Sequence, residues 1–231
     1  MDRSLKTLEA AYGSALGVDR QRVLRNTYAL LALSMIPTVL GAWLGVAMGF
    51  SFFAGSPLIG FVVFMAVAFG FFFAINKYKN SGLGVLLLLG FTFFMGLMLS
   101  RLIGFALGMS NGATLIGTAF GGTSLVFFGM ATLANTIKSD LSSMGKWLFV
   151  GMMVIIVAAV ANIWLQMPAL MLAISAMAVL VFSAYILYDL KRIIDGGETN
   201  YVTATLAVYL DVYNVFASLL QLLMALGGSD D

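Results

Sequence analysis

The chain has 231 residues, 61% of them hydrophobic and 10% charged, with a formal net charge of +2 and a mean hydropathy of +1.03. Soluble domains carry roughly 45–50% apolar and 25% charged residues, so a water-soluble fold is excluded and an integral membrane protein is indicated. Cys and His are both absent, which excludes disulfides, thiolate metal centres and imidazole as ligand, base or neutral-pH switch.

Residues 1–24 are polar and carry both signs of charge. They lack an apolar run followed by a small-residue cleavage site, so they do not read as a cleavable signal peptide. They are expected to form a cytoplasmic tail, either without fixed structure or serving as a handle for a partner. A single transmembrane domain then covers 25–226, and 227–231 is a short acidic C-terminal tail.

A helix needs about 20 apolar residues to cross the hydrocarbon. Seven segments meet this: 25–48, 57–76, 82–107, 112–134, 146–166, 168–190 and 200–226. The expected fold class is therefore an all-α integral membrane protein, a seven-transmembrane-helix bundle. Most breaks between spans are short, which makes successive helices antiparallel neighbours. Pro57 and Pro168 stand near helix starts, where the missing N–H costs nothing. Gly196 and Gly197 suit the stop of the sixth helix, and Thr199 or Asn200 suits the cap of the seventh. Trp43, Trp147 and Trp164 lie near span ends, as interfacial anchors do.

Cytoplasmic loops of membrane proteins carry the excess of Lys and Arg. With the N-terminus in the cytoplasm, the tail and the second, fourth and sixth connections hold eleven of the twelve basic residues. Only Arg101 falls on the outer half, and the C-terminus is then periplasmic. Topology accounts for this basic face, so no nucleic-acid partner is implied and the bilayer itself is the expected partner.

Glycines repeat at four-residue spacing in Gly41-Gly45-Gly49, Gly104-Gly108 and Gly117-Gly121. Such spacing lets helix backbones approach closely, either inside the bundle or at a dimer or moving interface.

The chemistry concentrates in two acids. Asp211 sits in the middle of the last apolar run, 205–220 (TLAVYLDVYNVFASLL), and Asp189 ends the run before it. A charge at membrane depth costs at least about 2.5–3.5 kcal/mol, so an acid there marks a functional site by default. At 1.5 Å rise per residue, Asp189 lies about 10 Å and Asp211 about 16 Å from the hairpin joining their helices. The offset of roughly 6 Å is within side-chain reach on tilted neighbours. Two carboxylates that close cannot both ionise cheaply in low dielectric, so they are expected to share a proton and titrate as a pair. Deprotonated, they form a hard-oxygen site for Ca²⁺ or another cation, too few ligands for a closed site and suited to weak transit binding. Asp189 has an alternative reading as a boundary charge paired with Lys191 or Arg192.

Tyr185, Tyr188, Tyr209, Tyr213 and Asn214 are placed to lend the pair hydroxyl and amide hydrogen bonds. Lys77, Lys138 and Arg192 are candidate gate partners on the same side. Arg101 lies about 28 Å from the cytoplasmic start of its helix, too far above the acids, and is expected to snorkel outward. No catalytic residue is assigned: His, Cys, a metal-ligand cluster, a P-loop and a dinucleotide fingerprint are all missing.

Several stretches together resemble the Bax inhibitor-1 (transmembrane BAX inhibitor motif) family. They are 185–201 (YILYDLKRIIDGGETNY), 209–220 (YLDVYNVFASLL), 121–132 (GGTSLVFFGMAT) and 136–145 (TIKSDLSSMG). Segments 161–170 (ANIWLQMPAL) and 196–201 (GGETNY) are similar to its bacterial YccA-like branch in particular. The resemblance covers nearly all of 22–225. It implies a seven-helix bundle with the seventh helix central, and a pH-sensitive latch for a calcium leak, with Asp189 and Asp211 at the two latch positions. For the bacterial branch it implies instead partnership with the membrane AAA+ protease FtsH, through the tail at residues 1–25. Calcium-leak members are expected to carry a buried arginine on the second helix, whereas here Phe61 to Ile75 holds no charge. The expected function is thus a pH-sensitive cation leak in a bacterial inner membrane, with Ca²⁺ as cargo and no bound cofactor. The alternative is FtsH modulation without transport.

Overall fold

The computed structural model describes residues 2–50 and 57–227, with side chains from residue 20 onward except at Pro57. Seven helices follow in order: α1 Asp2–Ala47, α2 Pro57–Tyr78, α3 Gly82–Leu107, α4 Gly112–Thr136, α5 Met144–Leu165, α6 Pro168–Ile194 and α7 Tyr201–Gly227. No strand occurs among the described residues. Each helix contains a stretch long and apolar enough to span a bilayer, beginning in α1 at Arg20.

One boundary differs from expectation. The helix of the first span continues without a break back to Asp2, so the segment read as a tail is helical in its backbone. The side chains of 2–19, where a partner handle was expected, lie outside the described residues, as do the acidic end at 228–231 and the break at 51–56. The sixth helix runs past its apolar span to Ile194, ending just before the glycines expected to stop it. Its last turn stays helical because Leu190 and Ile193 point into the core.

The turns close as their residues dictate. Gly196, at φ +82, ends α6 in a left-handed conformation that glycine adopts without a Cβ penalty. Asn200 caps α7: its Oδ1 accepts from the N–H of Val202 (3.0 Å) and of Thr203 (3.2 Å). Its amide also donates to Lys79 O (3.2 Å) and Asn80 Oδ1 (2.7 Å), tying the α6–α7 hairpin to the α2–α3 turn.

Helix α7 occupies the centre, in contact with α1, α2, α3, α4 and α6. Val202, Val208, Val215 and Leu220 along it are wholly buried. Helix α5 stands outermost, packed on α6. The closest helix pairing is α1 on α3, where glycines remove the side chains. A methyl group on Gly41 would fall 2.2 Å from the Phe93 carbonyl oxygen, and one on Gly96 2.1 Å from that of Thr38. Gly117 and Gly121 differ: nothing lies within 4 Å of where their Cβ would be, so that spacing serves no contact within the bundle. Trp43, Trp147 and Trp164 are all exposed on the bundle surface.

Candidate functional site: a carboxyl pair between the sixth and seventh helices

The short hairpin between α6 and α7 makes the two helices antiparallel and sets their register. That register brings the carboxyl groups of Asp189 and Asp211 within interaction range of each other. A hydrogen bond between them would need a proton on one, since two carboxylates offer only acceptors. Asp211 is 5% exposed, and its Oδ2 is a buried oxygen with no hydrogen-bond partner. Asp189, one turn before the end of α6, is half-buried. An orphaned buried carboxyl oxygen is costly, so the pair stores an unmet demand for a proton, a water or a cation.

The charges facing Asp189 are Arg192, three residues on along α6, and Glu198 in the hairpin. Arg192 is thus at the pair. Lys77 and Lys138, the other two expected gate partners, are exposed at helix ends. Lys77 lies over its neighbour Tyr78, 5.5 Å from the ring centroid. Arg101 is exposed, near the opposite end of α3 from Gly82.

Of the five residues expected to support the acids, Tyr185 faces both of them electrostatically; it stands one turn before Asp189 on the same helix face. The others are occupied elsewhere. Tyr209 hydroxyl lies 2.8 Å from Thr38 Oγ1 and 3.4 Å from the Thr92 carbonyl oxygen. Tyr213 hydroxyl donates to the Met95 carbonyl (3.3 Å). These two bracket Asp211 in sequence, but a residue two positions away on a helix projects to the far side. Asn214 donates back to the Leu210 carbonyl of its own helix (2.7 Å). Tyr188 turns toward α5, where only the bare backbone of Gly145 leaves room for its hydroxyl.

Three features beside the pair were not read from the sequence. Lys191 is 7% exposed, and its Nζ donates to Asp195 Oδ1 at 2.6 Å. The four-residue spacing of those two was a usable signal. A polar cleft of about 330 Å³ lies where Tyr188, Lys191, Arg192 and Asp195 meet the α4–α5 loop at Asp140 and Ser142. Asp140 accepts from the Ser142 hydroxyl (2.5 Å) and N–H (2.8 Å), which hold its carboxyl below the usual range. On the face of α7 turned away from Asp211, an apolar cavity of about 620 Å³ separates α1 from α4, lined by Met35, Phe120, Phe127, Val212 and Tyr213 among others.

Among the described residues, no group of three or more Asp or Glu converges. Calcium takes six to eight oxygens, so a cation at Asp189 and Asp211 would keep much of its own water.

Seven helices long and apolar enough to span a membrane among the described residues, with α7 at their centre and an acid on each of α6 and α7, define a polytopic integral membrane protein. A family model described as "Inhibitor of apoptosis-promoting Bax1" matches residues 20–228. The chain belongs to that family, the Bax inhibitor-1 family. It is 41% identical over 215 residues to an uncharacterized protein of Neisseria meningitidis, covering 92% of this chain and 95% of the relative. It is 37% identical to an "Uncharacterized membrane protein" of Vibrio cholerae, covering 92% and 93%. It is also 38% identical over 206 residues to the "Modulator of FtsH protease YccA" of Escherichia coli, covering 89% of this chain and 91% of that one.

Proposed function

We propose that this protein is a pH-sensitive cation leak whose latch is the proton shared by Asp189 and Asp211. The observation that carries this reading is the carboxyl–carboxyl contact at a buried position with Asp211 Oδ2 left unpartnered. With the proton present, the hydrogen bond holds α6 to α7 and leaves no net cation site. Without it, two like charges repel across the helix pair and present hard oxygens to a passing ion. Ca²⁺ is the cargo this chemistry favours, held weakly and only in transit. The positive-inside rule puts the N-terminus and the acid pair toward the cytoplasm of a bacterial inner membrane. Arg192, rather than a cation on α2, is the basic residue that tunes the pair.

The test is Ca²⁺ flux into proteoliposomes across a pH series. Flux should rise on the alkaline side in the native chain and lose its pH dependence in the Asp189→Asn, Asp211→Asn double variant. A profile that survives both substitutions would sink the reading.

The relative's printed role favours a second reading, modulation of FtsH by direct contact without transport. Support within this chain comes from the helical extension of α1 beyond the span, from Asp2 to Arg20. Deleting residues 2–19 should abolish any effect on FtsH proteolysis while the bundle still folds; an unchanged proteolysis rate would remove this reading.

A further inference from the structure

The polar cleft at the hairpin end has a chemistry that neither reading assigns. Its α6 wall carries Tyr188, Lys191, Arg192 and Asp195, and its opposite wall is the α4–α5 loop at Asp140, Leu141 and Ser142. Tyr188 immediately precedes Asp189 in the chain. Arg192, which also lines the cleft, is the cation that acts on Asp189. Arg192 is thus the residue common to the cleft and to the surroundings of the buried pair.

Within it, one ammonium faces two carboxylates. Lys191 Nζ sits 2.6 Å from Asp195 Oδ1, and Asp140 across the cleft feels the same positive charge. Asp195 is 48% exposed and Asp140 is fully at the surface, whereas the Lys191 side chain is 9% exposed. Burying a lysine is expensive unless it is paired. Here the pairing comes from outside, from acids that water can reach. The arrangement is that of a cation site in which the chain supplies its own cation.

We propose that this cleft is the aqueous mouth of the Asp189–Asp211 pair and that Lys191 is its plug, a tethered cation seated where an entering ion would first meet Asp195 and Asp140. This rests on the cation reading above and adds the route and the gate. An entering divalent ion competes with the ammonium for Asp195. Once displaced, the flexible lysine stem swings outward, and the way past Tyr188 and Arg192 opens.

The native chain has no cysteine, so access can be measured without background. The experiment places Tyr188→Cys in the full-length protein in proteoliposomes and follows its reaction with a membrane-impermeant cationic thiol reagent. It is run with Lys191 intact, with Lys191→Met, and separately with Asp195→Asn. The last variant changes a half-exposed residue and guards against misfolding of the first. Labelling should quicken about tenfold in either variant, since modification of a transiently open state tracks its population. Unchanged labelling in both overturns the plug. Ca²⁺ flux in the same vesicles keeps the two ideas apart. Faster labelling with rising flux supports mouth and leak together. Faster labelling with no flux at any pH supports the mouth and removes the leak.

Discussion

The hydroxyl of Tyr209 lies 2.8 Å from that of Thr38, joining the central α7 to α1 on the side of α7 turned away from Asp211. Thr38 also donates to the Ser34 carbonyl (2.8 Å), and Tyr209 is 1% exposed. The helix that carries the buried acid is thus held from behind by a tyrosine whose ring also contacts Phe91 edge-on.

Tyr209→Phe removes this bond and leaves the ring packing in place. Interhelical hydrogen bonds in membranes contribute about 0.6 kcal/mol on average and about 1.7 kcal/mol at most. Unfolding in mild detergent should show a loss in that range. Thr38→Val should cost a similar amount, and the double variant should cost clearly less than the sum, because both remove one bond. Additive losses would mean that the two side chains act independently.

Gly41→Ala and Gly117→Ala test the two kinds of glycine spacing against each other. At Gly41 a methyl group meets backbone, the Phe93 carbonyl at 2.2 Å, and α1 has to move off α3. Overpacking of this kind typically costs 1–3 kcal/mol, and about 2 kcal/mol or more is expected here. At Gly117 nothing lies within 4 Å, so the same change should be neutral or slightly stabilising through helix propensity. Thermal midpoints of the two variants, read side by side, decide the matter.

Gly196→Ala should damage the α6–α7 hairpin through its backbone conformation. A side chain at φ +82 is strained by roughly 1–2 kcal/mol. Its methyl would also displace the flexible end of Arg20, whose Nε lies 2.6 Å away, at little further cost. Hydrogen exchange at Gly197 and Glu198, whose amides bond the Arg192 carbonyl at 2.8 and 3.3 Å, should accelerate while the other turns keep their protection.

Asp140 carries the pH prediction for the loop outside the membrane. The Ser142 hydroxyl, then its N–H, favour the charged form and hold the native carboxyl below its ordinary 3.8. A lowered native value adds stability that is fully present above the unfolded value and is lost as pH falls through the native one. The α4–α5 loop should therefore loosen only in strong acid. Ser142→Ala should move the Asp140 midpoint, followed by carboxyl NMR, back upward; an unmoved midpoint would assign the effect to Lys191 alone.

How far local sequence reaches is clearest at the acids. Asp189 and Asp211 sit on consecutive helices joined by a turn of six residues, 195–200. Rise per residue alone then sets their depths to within side-chain reach. The supporting tyrosines were not legible in the same way, because proximity along the chain says nothing about which side of α7 a residue occupies. Lys191 shows the same limit from the other direction. In sequence it is one more basic residue after a span; in the fold it is 7% exposed beside Asp195.

By itself the sequence determined that the chain is a membrane protein, where its seven spans lie, which turns end them and which two acids share a hairpin. Each of these follows from hydropathy, helix geometry and turn chemistry over a few consecutive residues. Only the tertiary structure decided that α7 is surrounded, that Tyr209 and Tyr213 turn away from Asp211, and that Gly41 touches a backbone while Gly117 touches nothing. It alone decided that Lys191 is buried beside Asp195 in the wall of the polar cleft. The reason is physical: lipid tails are as apolar as leucine, so bundle-facing and lipid-facing sides of these helices carry the same residues. Only their packing tells them apart.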